Sequence, residues 1–451
     1  MQYVIIGVVL ILAACAAPLT ETAPAPNAAV TRLAYTYEPS QSCKGCHPAI
    51  HAQYEESEHA KAFENPVFKS LYFKEVVPRA ERDPGFRQEA KRCVYCHAPV
   101  AYMNYTGLIR TPQQVEGVET GVTCDFCHTL AGYEANGDYR QNPSGKKQGP
   151  FEINNWHTEF SGWIQLSEFC GPCHNAENHH GIPVKATYAE WRQSNFATAK
   201  VTCQECHMNR IGYLRNGKAE FYQGAAAHLT VGYSNENKAQ DRSKIYSHRF
   251  PGAHTNSQIA GAIGLKFSAD GHAVPREGAW NITLDIDNSR TGHHMPSGST
   301  DLRFLWLEVT AATADGRAVP VRLSGAAPAA GTQDFGRAGS YREDMAILGT
   351  TVPSGSRLYR AVYLDAEGNQ ALMFYNAASR AFDNRLQAGE VRREQYQVQL
   401  PVGYTGPLRL KAVLYYKGAP DTFTSRLGVD PFSAVRVAAV ETDVRVGAVS
   451  P

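Results

Sequence analysis

Ten cysteines of this chain form five copies of one pentapeptide, Cys-x-x-Cys-His. The two thiols of a copy can form thioether bonds to the vinyl groups of a haem, and the adjacent histidine can then bind the iron. The sequence therefore predicts five covalently bound haem c groups. The first cysteines are Cys43, Cys93, Cys124, Cys170 and Cys203, the second are Cys46, Cys96, Cys127, Cys173 and Cys206, and the proximal histidines are His47, His97, His128, His174 and His207.

Cys-x-x-Cys alone also occurs in zinc sites and in redox dithiols. Neither alternative accounts for a histidine after every copy. Of the eleven cysteines, Cys15 is the single one outside the pattern. The spacing favours haem attachment over both alternatives.

Cys15 follows an apolar run from Val4 to Ala14. The run is too short to span a bilayer and has the length of a signal-peptide core. With the small residues before Cys15 it resembles a bacterial lipobox, which implies lipidation of Cys15 and a multi-chain lipid anchor in the membrane. Ala16 resembles the pattern of lipoproteins sent to the outer membrane. An ordinary secretory signal is the alternative, and both predict export.

Composition limits the partners of this chain. It has 451 residues, 43% hydrophobic content and a formal net charge of +1. No basic run is present, which argues against a nucleic-acid partner. The propionates of five haems would make the loaded protein acidic, so we expect redox partner proteins with a basic docking face. The sequence leaves the oligomeric state open.

The cysteines divide the chain, because none follows Cys206. We expect a signal peptide at 1–14, an Ala/Pro/Thr-rich tether at 15–37, a pentahaem domain at 38–262 and a β domain at 263–451. The haem domain has roughly 45 residues for each haem, so the macrocycles must supply much of its apolar core. It should be mostly short helices and loops.

The second domain shows alternation with period two. In Trp280–Asp287 the apolar side chains fall on one face and the polar ones on the other, which is typical of a half-buried strand. Such strands separated by Gly-containing turns predict an all-β, sandwich-like domain. Similar runs cover 302–310, 358–364, 372–375, 395–400, 408–416 and 434–440.

A helix is predicted to begin at Pro48 and to continue to Phe63, with His51 and His59 on one face. Its segment 54–62 aligns without gaps to 191–199, with an aromatic residue, Ser, Ala and Ala at shared positions. His59 corresponds to Phe196 in this alignment, so the second copy would provide an apolar contact where the first provides a ligand.

Six further segments have a distinctive sequence: Ser57 to Ala60, Thr187 to Trp191, Cys203 to Met208, His248 to His254, Gly292 to Gly298 and Leu302 to Leu307. They resemble segments of the superfamily of multihaem c-type cytochromes that includes hydroxylamine oxidoreductase and related tetrahaem electron carriers. The resemblance implies that histidines outside the motifs, within these segments, are distal haem ligands.

Eleven histidines lie outside the motifs, and five would close every iron. A loop at 292–298 could carry a ligand from the β domain to the haem domain. The candidate distal ligands are His59, His248, His254, His293 and one of the neighbours His179 and His180, of which His180 is preferred.

Axial ligation separates the functional hypotheses. Two protein ligands on each iron favour electron transfer, whereas an enzyme needs an open iron. We expect an electron-transfer cytochrome, lipid-anchored at the periplasmic side or the cell surface of a bacterial outer membrane. The alternatives are an oxidoreductase acting on a small nitrogen or sulfur species at an iron left open by Phe196, with His51, His157 or His228 as proton donor, and a haem subunit of a larger complex or conductive filament.

Overall fold

The computed structural model describes residues 36–152, 154, 156–208, 214–215, 218–219, 246–253, 256–268, 278–324, 348 and 351–445. Cys15 and His254 lie outside these residues, so the predictions that concern them remain predictions. Within the described part of the chain, no helix is both long enough and apolar enough to cross a membrane.

The part of the chain that carries the motifs is built mostly from short helices, and its longest α-helix is Arg87–His97 with 11 residues. The π-helix Tyr72–Val76 joins two α-helices, Pro66–Leu71 and Val77–Arg82, into one continuous helical stretch. Several helices begin at proline or at a capping side chain: the Thr123 hydroxyl, for example, accepts from Phe126 N at the start of a motif helix. The α-helices are Ser40–Cys43, Pro48–Glu56, Pro66–Leu71, Val77–Arg82, Arg87–His97, Pro99–Asn104, Cys124–Thr129, Gly171–His174, Thr187–Arg192, Asn195–Thr198, Cys203–His207 and Asn256–Ile259.

The helix predicted from Pro48 to Phe63 is shorter than expected. It ends at Glu56, and Ser57 adopts extended backbone angles. The Ser57 hydroxyl accepts from Ala60 N at 3.1 Å, and such a local bond competes with helix continuation. The prediction that His51 and His59 share one helix face is therefore wrong, because His59 lies beyond the helix.

This region also contains short strands that the sequence did not indicate. Leu130–Tyr133 pairs antiparallel with Tyr139–Gln141, and Lys147–Gly149 pairs in parallel with Thr158–Phe160. The second pair lies beside the third motif, since Gln148 accepts a bond from His128. These strands add to a domain that the sequence predicts to be mostly short helices and loops.

The C-terminal part is strand-rich, as predicted, and two of its sheets enclose one core. Leu284 and Val398 of one sheet and Leu305 and Leu414 of the other are fully buried in it. The strand order in the first sheet is Val321–Leu323, Val391–Leu400, Gly278–Asp287 and Gly264–Ser268. In the second sheet it is Ala318–Val319, Phe304–Thr313, Pro407–Lys417 and Val435–Arg445, and Arg357–Tyr359 also pairs with Phe304–Thr313. A third, smaller sheet has the order Gln370–Ala371, Ala361–Leu364 and Ser379–Asp383.

Two details differ from the sequence-based prediction. The run 372–375 is not a strand, because a short 3-10 helix, Phe374–Asn376, occupies it. A helix at Asp421–Leu427 was not anticipated. Phe423 of that helix packs in one apolar cluster with Phe63 and Tyr72, so the strand-rich part contributes to the core around the motifs.

Candidate haem centres

All five motifs face one cavity of about 1940 Å³. Its lining includes all ten motif cysteines and all five motif histidines, together with His59, His248 and His293. The last three are distal-ligand candidates that sequence analysis had selected. The fold thus gathers residues from 43 to 293 around one interior space.

Three motif histidines each face a histidine from a distant part of the chain. His174 faces His59, His128 faces His248, and His207 faces His293. The ring centroids are 6.2 Å apart in every pair. The ring planes are inclined by 55° in the first pair, 20° in the second and 17° in the third.

This common spacing fits an iron between two imidazoles. Metal–nitrogen bonds of about 2.0 Å on both sides would separate the two ring centroids by about 6.3 Å. The residues present therefore fit haem c: cysteines at thioether spacing, one adjacent histidine, and a second imidazole at the distance that a six-coordinate iron requires.

Hydrogen bonds fix the tautomers of several of these histidines. The Nδ1 atoms of His128, His248 and His293 lie 2.6, 2.9 and 2.9 Å from the backbone oxygens of Gln148, Tyr246 and His294. A carbonyl oxygen can only accept, so each Nδ1 carries the proton and each Nε2 keeps its lone pair. Metal-binding histidines usually have this second bond, which orients the ring.

Burial keeps these imidazoles neutral. It lowers the pKa of His59 to about 3 and the pKa values of His174, His207 and His248 to about 4. Part of each of these side chains is accessible, and the accessible part faces the cavity that the side chain lines. The neutral imidazole is the form that binds iron.

Gly121 lets the chain approach His59 closely. It has φ +92°, and a Cβ there would lie 2.4 Å from Ala60 O and 2.8 Å from His59 O. The next residue, Val122, donates its N–H to His59 O at 2.9 Å. A residue with a side chain at 121 would displace the backbone that carries His59.

A buried ion-pair network holds the loop that carries His293. Arg385 from the β part donates to Glu190 Oε1 at 2.6 Å, and Glu190 Oε2 accepts from the Ser297 hydroxyl at 2.7 Å. Asn288 donates to His293 O at 3.3 Å. The predicted loop 292–298 thus reaches the cavity, where His293 and residues 295–298 line it.

Contacts between motif cysteines show which centres are neighbours. Cys43 lies close to Cys124, Cys96 close to Cys173, and Cys170 close to Cys203. The first motif therefore adjoins the third, and the fourth adjoins both the second and the fifth. His59 lies near histidines of three centres. Burial has the largest effect in lowering its pKa, and the nearby His174, His207 and His248 lower it further.

The two other motif histidines lack such an opposed ring among the described residues. His97 donates from Nδ1 to Ala62 O at 2.8 Å, and its ring stacks on Phe68 with centroids 3.9 Å apart. The Nδ1 of His47 is buried without a hydrogen-bond partner. Burial lowers the pKa of His47, and the nearby His128 and His157 lower it further.

Two sequence-based choices have a different placement. His179 and His180 are exposed and are absent from the cavity lining, so the structure brings neither to a motif histidine. Asn178 explains this, because its amide donates to Phe374 O and Ala377 O and turns the following residues outward. His157, which the sequence indicates only as a possible proton donor, also lines the cavity. No neighbouring motif identifies it as a candidate ligand.

Phe196, the residue suspected of leaving an iron open, lies beside the loop of His293. A Cβ on Gly292 would meet Phe196 Cβ at 3.4 Å and Trp191 Cδ1 at 3.2 Å. Phe196 thus supports the segment that brings His293 opposite His207.

Comparisons with known proteins agree with this arrangement. Residues 42–129, which hold the first three motifs, match the sequence model of the cytochrome c554 and c-prime family. The fold is similar to that of a penta-haem cytochrome c552 from Thermochromatium tepidum, at 22% sequence identity and a TM-score of 0.60, covering 90% of this chain and 99% of that one. No curated protein sequence matches significantly.

A family 123 glycoside hydrolase from Clostridium perfringens aligns over 42% of this chain and 28% of its own, at 6% identity and a TM-score of 0.18, which is too low to carry an inference.

The motifs, the cavity and the first two likenesses define the class of protein: a multihaem c-type cytochrome. The particular likeness over nearly the whole chain is to a cytochrome with five haems.

Proposed function

We propose that this protein is a lipid-anchored pentahaem cytochrome that transfers electrons along a series of adjacent, mostly bis-histidine haems. The observation that carries the proposal is the 6.2 Å spacing of three imidazole pairs. In each pair a motif histidine and a distant histidine would bind one iron from both sides.

Haem c, when bound, supplies a reversible one-electron change at its iron. The chain's own residues would confine it to that role at the three paired centres. Two imidazoles per iron leave no coordination position for a substrate, and the Nδ1 bonds of His128, His248 and His293 hold the rings in one orientation. Little reorganisation is then needed when an electron arrives or leaves.

The contacts between motifs support transfer from centre to centre. The fourth motif touches the second through Cys173 and Cys96, and the fifth through Cys170 and Cys203. A central fourth centre would therefore connect its neighbours. All five motifs line one cavity, so neighbouring haems would lie side by side within it.

Voltammetry of the holoprotein adsorbed on an electrode tests this function. We expect reversible one-electron waves that sum to five electrons for a molecule carrying five haems by mass spectrometry. Addition of nitrite, hydroxylamine or sulfite should leave the waves unchanged. A catalytic current with any of these compounds would contradict the carrier function and favour the oxidoreductase alternative.

Export and anchoring form a separate part of the proposal. Lipidation of Cys15 would hold the protein at the periplasmic side or the surface of the outer membrane, where exported redox proteins could dock. The Cys15→Ser variant should move from the membrane fraction to the soluble exported fraction with its haems intact. An unchanged membrane association would contradict the lipid anchor without affecting the haem assignments.

A further inference from the structure

The centre at His97 differs from the three paired centres. Its Nδ1 proton is bound to Ala62 O, so Nε2 is available to an iron. Phe68 covers one face of the ring. Among the described residues, no imidazole stands opposite His97 at the 6.2 Å spacing of the other pairs. Another type of side chain must be considered for the second axial position.

Lys185 is the cationic side chain beside this centre. It lines the cavity, and its backbone forms two hydrogen bonds with Ala176, two residues after the fourth motif. The amine of Lys185 lies over the ring of Phe374, which packs in one apolar cluster with Cys93 and Phe68. Phe68 in turn stacks on the ring of His97. Lys185 is thus on the side of the cavity that holds the second motif, and its charge acts on both His97 and Cys93.

The β part positions the amine of Lys185. Its Nζ lies 4.5 Å from the centroid of the Phe374 ring, within cation–π distance. Phe374 also lines the cavity. The amine therefore lies beside a ring that lines the cavity.

Asp301 provides an independent indication that this place is built to hold a polar ligand. It is 8% exposed and lines the cavity, and its Oδ1 is buried without a hydrogen-bond partner. The charge of Lys185 acts on this carboxyl group as well. A buried unpaired oxygen is costly, which indicates a missing donor nearby.

We propose that Lys185 supplies the sixth iron ligand of the haem held by Cys93, Cys96 and His97. The inference rests on the proposed function, because it requires haem at this motif. The ammonium group releases one proton to water, and its nitrogen lone pair then forms the bond to iron, with no change of oxidation state. Asp301 is a positioning residue whose Oδ1 accepts an N–H of the coordinated amine.

Near-infrared magnetic circular dichroism of the oxidised wild-type holoprotein provides the direct test, since the energy of the low-spin ferric charge-transfer band depends on the axial ligands. We expect a histidine–amine band beside the bis-histidine bands. Lys185→Ala should convert about one-fifth of the total haem from low-spin to high-spin, and that fraction should bind added cyanide. Lys185→His should restore the low-spin state with a bis-histidine band.

Lys69→Ala is the control. Lys69 pairs with Glu64 on the surface and does not line the cavity, so the spectra of this variant should equal those of the wild type. The absence of a histidine–amine band in the wild type would overturn the proposal even if the Lys185 variants fail to load haem. Unchanged spectra in Lys185→Ala would also overturn it. The haem count and the voltammetric waves of the wild type test the electron-transfer function separately. Five haems with reversible waves but no histidine–amine band would overturn the ligand assignment alone.

Discussion

At three motifs of this cytochrome the histidine faces an opposed imidazole, whereas His47 and His97 face none among the described residues. The three opposed histidines come from loops: His59 after a helix end, His248 before a turn, and His293 from the β part. The comparison shows that a motif places only one imidazole at its centre. Any second ligand has to come from the tertiary fold.

The largest effect should come from removing a central motif. Cys170 and Cys173 contact cysteines of two neighbouring motifs, while Cys43 contacts one. The double variant Cys170→Ser, Cys173→Ser should lose one haem and most of its folded yield, since neighbouring haems lose a packing partner. Mass spectrometry and expression yield measure both effects.

The matched double variant Cys43→Ser, Cys46→Ser should lose one haem and keep most of its folded yield. Equal yields for the two double variants would contradict the central position of the fourth motif. Loss of no haem in either variant would contradict haem attachment at that motif.

Breaking one paired centre should have a smaller, well-defined effect. His293→Ala removes the imidazole opposite His207, so about one-fifth of the haem should become high-spin and bind cyanide. His179→Ala changes an exposed histidine outside the cavity and should leave the spectra unchanged. Electron paramagnetic resonance of the oxidised proteins measures this; a fully low-spin His293→Ala variant would remove His293 from the ligand set.

The network that holds the His293 loop should affect stability. Arg385 is 4% exposed and bridges Glu190 and Asp383. Arg385→Met leaves the buried carboxylate of Glu190 without its arginine, whereas Asp383 keeps Arg380. Loss of one partner from a buried ion pair costs about 3–5 kcal/mol in the free energy of unfolding. Denaturant titration measures this cost.

Arg409→Met serves as the control for that prediction, because Arg409 forms its ion pairs on the surface. It should leave the denaturation midpoint nearly unchanged. Equal midpoints for Arg385→Met and Arg409→Met would show that the network does not hold the two parts of the molecule together.

Lowering the pH should also weaken this network, and this is the smallest of the expected effects. Burial alone would raise the pKa of Glu190, but Arg385 outweighs it and keeps the pKa below its usual value near 4.5. A depressed carboxyl pKa stabilises the fold above the unfolded value and loses that stabilisation as pH falls through the folded one. The stability advantage of the wild type over Glu190→Gln should therefore be largest near neutral pH and shrink below about pH 4.5. Thermal melts at both pH values measure it; a constant difference would contradict the assignment.

The local sequence pattern was sufficient to predict the five motifs and most of the strands. Trp280–Asp287 and its neighbours form strands because their alternation matches a half-buried sheet. Three distal candidates, His59, His248 and His293, stand opposite motif histidines. They were selected because each lies in a segment that resembles known multihaem proteins.

Other parts of the site depend on contacts that no local pattern encodes. His180 is the preferred candidate of the pair His179 and His180, yet Asn178 directs it to the surface, whereas His157 lies in the cavity lining beside a strand pair. The helix ends at Glu56, next to the local bond from Ala60 N to the Ser57 hydroxyl. Neither Lys185 nor Asp301 belongs to a motif, and only the cavity that they share relates them to a haem centre.

Electron paramagnetic resonance of the fully oxidised wild-type holoprotein tests the central claim most directly. The angle between two axial imidazole planes controls the anisotropy of a low-spin ferric signal. The nearly parallel pairs His128–His248 and His207–His293 should give two rhombic signals, and the pair His59–His174, inclined by 55°, should give a more axial one. Fewer than three bis-histidine low-spin haems in the integrated spectrum would contradict this account.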